Sequence, residues 1–294
     1  MSNPRIPYRM ADRRPALPPL DGKPLLVHLV VNVEHWQFDQ PMPRTILTPP
    51  HGREQVPDVP NFSWAEYGMR CGMPRLLALL GERGLPASCS FNASVIDAYP
   101  DCAEAILKAG WEFVGHGVNQ RSIQGESDER ALIGMALDKI ERFSGIRPRG
   151  WLSPGLRESF ETPDLLKAAG IEYVYDWVLD DLPNWMTTTA GPMIALPYTL
   201  ELNDSVIYAV ERHATDEMGR RFDRTLATFE HELAAAPRVL TLALHPHLIA
   251  VPHRIGDLAR MLDVLQARAD TVFTTGAGLA GWFAAAEAAP RIAA

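Results

Sequence analysis

The chain has 294 residues with 36 acidic and 28 basic side chains, which gives it a formal net charge of -8 at pH 7. Its arginines are scattered along the sequence, so the composition argues against binding to nucleic acid or to an anionic membrane surface and favours a small neutral or cationic ligand. The three cysteines show neither CxxC spacing nor an even count, so neither a disulfide framework nor a zinc–thiolate site is implied.

Residues 1–24 contain a run of prolines that prevents helix formation, and we expect an extended arm packed on the surface or on a neighbouring subunit, with a disordered arm as the alternative. The arm lacks the apolar core of a signal peptide, and no later segment has the length of a membrane span, so a cytoplasmic location is expected. We predict a single catalytic domain over residues 25–294 and a homo-oligomer, either a dimer or a tetramer.

The first predicted strand is an apolar run that begins at Leu25 and ends in polar and aromatic residues. Its β-branched and leucine-rich composition is typical of a strand buried on both faces, as in a parallel sheet or barrel. In such folds the C-terminal ends of the strands line the ligand site. A substrate is therefore expected to meet Asn32, Glu34, His35 and Trp36.

A long Pro-rich loop is predicted over residues 37–62, and we expect it to cover part of the site, with His51, Asp58 or Asn61 near the ligand. After this loop, strands and helices alternate along the chain. Further strands are predicted at 85–91, 111–115, 149–151, 171–175, 193–196, 206–210, 238–244 and 271–274. Helices are predicted at about 72–83, 95–109, 127–143, from 162 onwards, at 222–235, 255–267 and after residue 276. This alternation predicts an α/β fold, a deformed (β/α) barrel of seven or eight strands.

Most predicted strands are followed by polar or aromatic residues, which would share one face of the barrel. These are His116-Gly117-Val118-Asn119-Gln120, Trp151-Leu152-Ser153-Pro154, Asp176-Trp177, Pro197-Tyr198, Asn203-Asp204 and His245-Pro246-His247. Any one of them has an ordinary structural explanation, such as a hydrogen-bonded core histidine or a core tryptophan. Their common position after successive strands favours a functional site instead.

In order and character, these motifs resemble those of the polysaccharide deacetylase (NodB-homology) superfamily, from about residue 25 to 275. The resemblance places Asn32 and Glu34 at the family's first motif, where a base and a metal ligand are acidic. It places His116 and Gln120 at the second, where both metal ligands are histidines. Asp176-Trp177 and His245 match the fourth and fifth motifs, and the third lacks its arginine.

The departures resemble the branch that contains metal-independent allantoinases and cyclic imide hydrolases. Glutamine is a weak ligand, so only Glu34 and His116 would remain as good metal donors, and two protein donors hold a catalytic metal poorly. We therefore expect no cofactor, with a divalent metal such as zinc disfavoured. The alternative is that His35 or His247 supplies a replacement ligand.

The function expected from this resemblance is hydrolysis of a non-peptide C–N bond in a small cyclic amide, imide or ureide, or in an N-acyl compound. Glu34 would act as the base, His116 and His245 as oxyanion donor and general acid in either order, and Asp176 would orient one imidazole. Candidate substrate-binding residues are Asn32, His35, Trp36, Asn119, Gln120, Trp151, Pro154, Trp177, Tyr198 and Asn203.

Two alternatives remain open from the sequence. One is a metal-dependent deacetylase of a polysaccharide or an N-acetyl amine, supported by the retained His116 and His245. The other is a ligand-binding barrel that has lost catalysis, which would also show altered motifs. Either way we expect a small-molecule ligand as partner, and neither nucleic acid nor membrane.

Overall fold

The computed structural model describes residues 2–49, 52–53 and 55–290. Its strands form one nine-stranded sheet in which every pairing is parallel except that of the sixth and seventh strands. The strands are β1 Leu25–Val33, β2 Ser88–Phe91, β3 Glu112–Gly115, β4 Gly150–Trp151, β5 Tyr173–Val174, β6 Asn184–Thr188, β7 Gly191–Ala195, β8 Arg238–Leu244 and β9 Thr271–Thr274.

Strand β1 is the centre of this sheet, and all nine of its residues are buried. It pairs with β8 over Leu25–Val31, with β2 over its C-terminal half and with β9 over its N-terminal half. Beyond β2 the order continues through β3, β4, β5, β7 and β6. The (β/α)-barrel fold expected from the sequence is confirmed, and the exchange of β9 for β2 along β1 is one source of its deformation.

Nine α-helices surround this sheet in the described part of the chain. They are α1 Val59–Tyr67, α2 Met73–Glu82, α3 Val95–Ala98, α4 Pro100–Lys108, α5 Glu129–Ser144, α6 Thr162–Ala168, α7 Glu217–Glu232, α8 Ile255–Gln266 and α9 Gly276–Ala286. The helix expected over 95–109 is divided at Tyr99, whose φ of -138° and ψ of 62° are not helical. The reason is Pro100, which disfavours the helical conformation in the residue before it. None of the described helices combines the length and apolar composition needed to span a membrane.

A π-helical turn, Gly68–Gly72, joins α1 to α2 and packs against the segment that follows β8. A Cβ atom on Gly72 would lie 2.1 Å from the carbonyl oxygen of Pro246, and one on Gly68 would lie 2.5 Å from the backbone nitrogen of His247. Only glycine allows this approach. The two glycines thus set the backbone position of the His245–His247 segment.

Two of the differences from the sequence-based expectation concern strands. Residues 206–210 were expected as a strand, but Ser205–Val210 form a π-helical turn with Ile207, Tyr208 and Ala209 buried. A short apolar run does not distinguish a strand from a buried helical turn. The turn begins here because the Asn203 side-chain oxygen accepts hydrogen bonds from the Ser205 and Val206 amides, at 3.0 and 3.4 Å. The unexpected strand β6 forms a hairpin with β7.

The N-terminal arm packs on its own chain. Arg5 forms an ion pair with Asp164 at 2.8 Å, and Arg14, whose side chain is only 5% exposed, pairs with Asp180 at 2.7 Å. The indole N–H of Trp282 donates to the carbonyl oxygen of Pro18 at 2.9 Å. These contacts fasten the arm beside the β6–β7 hairpin and α9.

Candidate active site

A cavity of about 660 Å³ opens at the C-terminal ends of the parallel strands. Glu34 directly follows β1, His116 directly follows β3 and His245 directly follows β8, so the three side chains meet because their strands run in the same direction. Nine of the residues proposed from the sequence lie on the cavity wall: Asn32, Glu34, Trp36, His116, Gln120, Pro154, Tyr198, Asn203 and His245.

The Glu34 carboxylate is at the centre of the site, and its side chain is 9% exposed. Its Oε1 accepts a hydrogen bond from the Gln120 amide at 2.9 Å, and its Oε2 accepts one from the Trp36 indole at 2.7 Å. The Nε2 atoms of His245 and His116 lie 3.5 and 3.9 Å from Oε1. Trp36 thus holds the carboxylate with its N–H group instead of presenting a free ring face for stacking.

His116 is buried, and its Nδ1 lies 2.5 Å from the carbonyl oxygen of Leu152. A carbonyl only accepts hydrogen bonds, so Nδ1 carries the proton and Nε2 is left with a lone pair in the neutral ring. Within the described residues this Nε2 is buried without a hydrogen-bond partner. The fold therefore presents a proton-accepting nitrogen to the cavity, next to Glu34.

His245 is held by Asp204, a carboxylate with no exposed surface. Asp204 Oδ1 lies 2.6 Å from Nδ1 of the imidazole, and Oδ2 accepts the backbone N–H groups of His245 and Ile249 at 2.6 and 3.2 Å. A parallel bridge between Asn203 and Ala243 brings the segment beside the end of β8. The sequence pattern gives Asp204 no specific role, because this residue lies between the predicted strands at 193–196 and 206–210 and not directly at the end of one.

The two carboxylates and the imidazole form a charge-alternating row. Burial by itself would lower the pKa of His245, but Asp204 and Glu34 outweigh it and raise this pKa to about 10. Burial by itself would raise the pKa of Glu34, but hydrogen bonding and positive charge from the neighbouring histidines outweigh it and hold this pKa below its usual value; while His116 is neutral, the His245 imidazolium supplies this stabilisation. At neutral pH the row is therefore Asp204 carboxylate, His245 imidazolium and Glu34 carboxylate.

Asn32 lines the cavity, yet its amide is already used within the protein. It donates to the Tyr198 hydroxyl at 3.1 Å and to the Leu244 carbonyl at 3.2 Å, and it accepts from the Ser90 hydroxyl at 2.7 Å. Asn32 therefore positions Tyr198, and the structure does not favour the expected hydrogen bonding of this amide to a substrate ring.

Asp176 was expected to orient an imidazole, but the structure gives it a different role. Its Oδ1 accepts the backbone N–H of Ser153 at 2.7 Å, whereas Leu152 and Asp204 hold the two site imidazoles. Four further candidates also lie off the cavity wall: His35, Asn119, Trp151 and Trp177.

Each of these four has another environment. His35 Nδ1 lies 2.8 Å from the Ser94 hydroxyl, because its side chain points to the opposite side of the chain from Glu34. Trp151 is fully buried in the core, and Trp177 donates its indole N–H to Glu158 at 2.9 Å. The Asn119 carbonyl accepts the N–H of Arg121 at 2.8 Å, within the loop after β3.

The Pro-rich loop does cover part of the cavity, through Pro41, Pro43 and Arg44. Asn61, expected near the ligand, is 1% exposed and instead accepts the backbone N–H groups of Ile46 and Leu47 at 2.8 and 3.0 Å. Asp58 caps α1, and His51 lies outside the described residues.

The donor set does not fit a catalytic divalent cation. Gln120 turns its N–H group towards Glu34 where the family resemblance places a ligand, and the second carboxylate oxygen is occupied by the Trp36 N–H. His247 lines the cavity but packs edge-on against Trp36 and Trp64. Among the described residues, no three His, Cys, Asp or Glu side chains are arranged to hold a metal ion.

Comparison with known proteins agrees with this architecture. A family model described as polysaccharide deacetylase matches residues 64–174. A putative polysaccharide deacetylase from Schizosaccharomyces pombe is 27% identical over 221 residues, which cover 67% of this chain and 68% of that protein. The resemblance to the polysaccharide deacetylase superfamily that the motifs indicate is therefore confirmed by a family-model match and by similar proteins. Two solved structures have the same fold over almost the whole length.

One of these structures is a probable polysaccharide deacetylase from Pseudomonas aeruginosa, 25% identical with a TM-score of 0.80. The other is PuuE allantoinase, 26% identical with a TM-score of 0.81. Each match covers 93% of this chain and 95% of the other chain. The enzyme class expected from the sequence is thereby confirmed: the protein is a hydrolase acting on carbon–nitrogen bonds other than peptide bonds. The family model includes His116 and Gln120 but neither Glu34 nor His245.

Proposed function

We propose that this enzyme hydrolyses the C–N bond of a small cyclic amide, imide or ureide, or of an N-acyl compound, without a metal ion. The observation that carries the proposal is a complete set of acid and base groups around one cavity, built from Glu34, His116 and His245. Each imidazole has one nitrogen fixed by the protein and the other facing Glu34. Such an arrangement suits proton transfer at two positions on one substrate.

The nucleophile in this proposal is a water molecule between Glu34 and His116. Glu34 was expected to be the base, but a carboxylate with a lowered pKa and two N–H donors is a weak proton acceptor. His116 offers a free lone pair on Nε2 at the same place. We therefore assign proton removal to His116, while Glu34 orients the water and balances the charge of His245.

His245 completes the reaction from the other side. As an imidazolium it donates a hydrogen bond to the oxyanion of the tetrahedral intermediate and then a proton to the leaving nitrogen. Gln120 recognises the substrate, since its Oε1 is a buried acceptor without a partner among the described residues. A substrate N–H would satisfy it, which favours an amide over an ester.

The likeness to PuuE allantoinase favours a ring substrate within this class. The competing proposal is deacetylation of an N-acetyl compound with a bound metal, which the name of the family model favours. A cavity of about 660 Å³ accommodates small molecules of either kind. The two proposals differ in metal dependence and in substrate.

The test is a hydrolysis screen with hydantoins, cyclic imides, allantoin and N-acetyl amines, performed before and after exhaustive treatment with a chelator. We expect a ring substrate to be cleaved at an unchanged rate after chelation, and His116→Gln to reduce that rate by about a hundredfold or more. Loss of activity with chelator and its return with zinc would establish the deacetylase proposal instead. Tight binding of a compound without turnover would indicate a ligand-binding barrel.

A further inference from the structure

Three arginines reach the same cavity from three different loops. Arg44 belongs to the loop after β1, Arg121 to the loop after β3 and Arg157 to the loop after β4. All three are exposed, so they lie at the mouth of the cavity, whereas Glu34 lies at its base. Their convergence follows from the parallel strands, which direct every strand-end loop to one side of the barrel.

These guanidinium groups have no carboxylate within 4.0 Å among the described residues, unlike Arg147, Arg260 and many others in this chain. Glu126 is the other charged residue of the mouth, so the rim carries three positive charges and one negative charge. At the base, the row of Asp204, His245 and Glu34 has two carboxylates and one imidazolium, so it carries one net negative charge. The cavity is therefore positive at its entrance and negative at its base, which favours a bound anionic group at the entrance.

We propose that the substrate carries a carboxylate at the end remote from the scissile C–N bond, and that Arg44, Arg121 and Arg157 bind this group. A guanidinium offers paired N–H donors that match the two oxygens of a carboxylate. This inference rests on the proposed function and narrows its substrate class to acidic ring compounds or acidic N-acyl compounds. It differs from the neutral or cationic ligand expected from the net charge, because the charge of the whole chain does not set the potential inside one cavity.

Two of the three arginines extend from loops that the protein holds in place. Arg44 lies in the Pro-rich loop, which Asn61 fastens to the start of α1, so its backbone is held in place over the cavity. Arg157 follows the Ser153–Leu156 turn, whose first residue is anchored by Asp176. Because both loops are pre-positioned, binding of the carboxylate orders mainly the arginine side chains.

The test compares hydantoin with hydantoin-5-acetic acid, which differ by one carboxymethyl group. Dissociation constants are measured by calorimetry on the full chain, at low salt and with the His116→Gln variant to prevent turnover. We expect the acid to bind about tenfold more tightly than the parent ring. Combining Arg44→Gln, Arg121→Gln and Arg157→Gln should remove this preference and leave the affinity for the parent ring unchanged.

A matched control replaces three exposed arginines that lie outside the cavity, Arg130, Arg142 and Arg224, with glutamine. It lowers the net charge equally, so a general loss of electrostatic attraction would weaken acid binding in both triple variants and overturn the proposal. Equal binding of both compounds by the enzyme, or no binding of the acid, would also overturn it. A preference for the acid without hydrolysis by the wild type would refute the proposed function and leave the carboxylate site standing.

Discussion

Replacing Asp204 with asparagine tests the charge row at the centre of the site. The asparagine oxygen can still accept the backbone N–H groups of His245 and Ile249, which leaves its NH₂ group facing Nδ1 of the imidazole. Nδ1 must then accept a hydrogen bond, so the neutral tautomer is favoured over the imidazolium. The fold is preserved while the protonation state of one ring changes.

The magnitude follows from the pKa of His245. Asp204 and Glu34 together raise this pKa from 6.5 to about 10, which corresponds to at most about 5 kcal/mol in favour of the imidazolium. Asp204 supplies the larger share of the favourable interaction. We expect kcat to fall by about a thousandfold, within the range of about 10² to 10⁴ for the loss of a positioned general acid or of a correct tautomer.

The assay is the pH dependence of kcat/KM with the substrate identified by the hydrolysis screen. In the unaltered enzyme the activity should decline on the alkaline side as the pH rises through about 10, where His245 loses its proton. In Asp204→Asn this decline should move towards neutral pH. Asp176→Asn is the matched control, because Asp176 is another buried acidic side chain that accepts a backbone N–H, while Leu152 and Asp204 are the hydrogen-bond partners of the two site imidazoles. Wild-type kcat and an unmoved alkaline limb in Asp204→Asn would refute the reasoning.

Three further changes have defined outcomes. Glu34→Gln should keep the fold, judged by circular dichroism, and lower kcat by about a hundredfold or more because the charge that holds His245 and orients the water is lost; undiminished turnover would contradict this role. Gln120→His places a second imidazole beside Glu34 and His116, so zinc titration by calorimetry should show binding that the unaltered enzyme lacks, whereas stoichiometric binding by the unaltered enzyme would contradict the metal-free proposal. Burial lowers the pKa values of His28 and His247 to about 3, so between about pH 6.5 and 3 the unfolded chain binds these protons and the folded chain does not. The free energy of unfolding should therefore fall as the pH is lowered, by about 1.4 kcal/mol per pH unit for each histidine, and urea denaturation with a constant stability between pH 6 and 4 would exclude this linkage.

Local sequence patterns predicted most of the strands and the edge of the sheet where the chemistry lies. The apolar run of β1 is long enough to predict a buried strand, and its abrupt end at Glu34 marks the site. His116 and His245 could be predicted for the same reason, since each directly follows a strand. The parallel direction of consecutive strands was therefore sufficient to predict that these three residues meet.

Only the tertiary structure decided which partners these residues have. Asp204 reaches His245 through a bridge between the segment after β7 and strand β8, residues about forty positions apart, so no local pattern could have distinguished it from Asp176. Trp36 and Trp151 look alike in the sequence, yet one holds Glu34 and the other is enclosed in the core. Likewise the net charge of -8 concealed a positive cavity mouth, because the potential at a site depends on which side chains converge there and that convergence is a property of the folded chain.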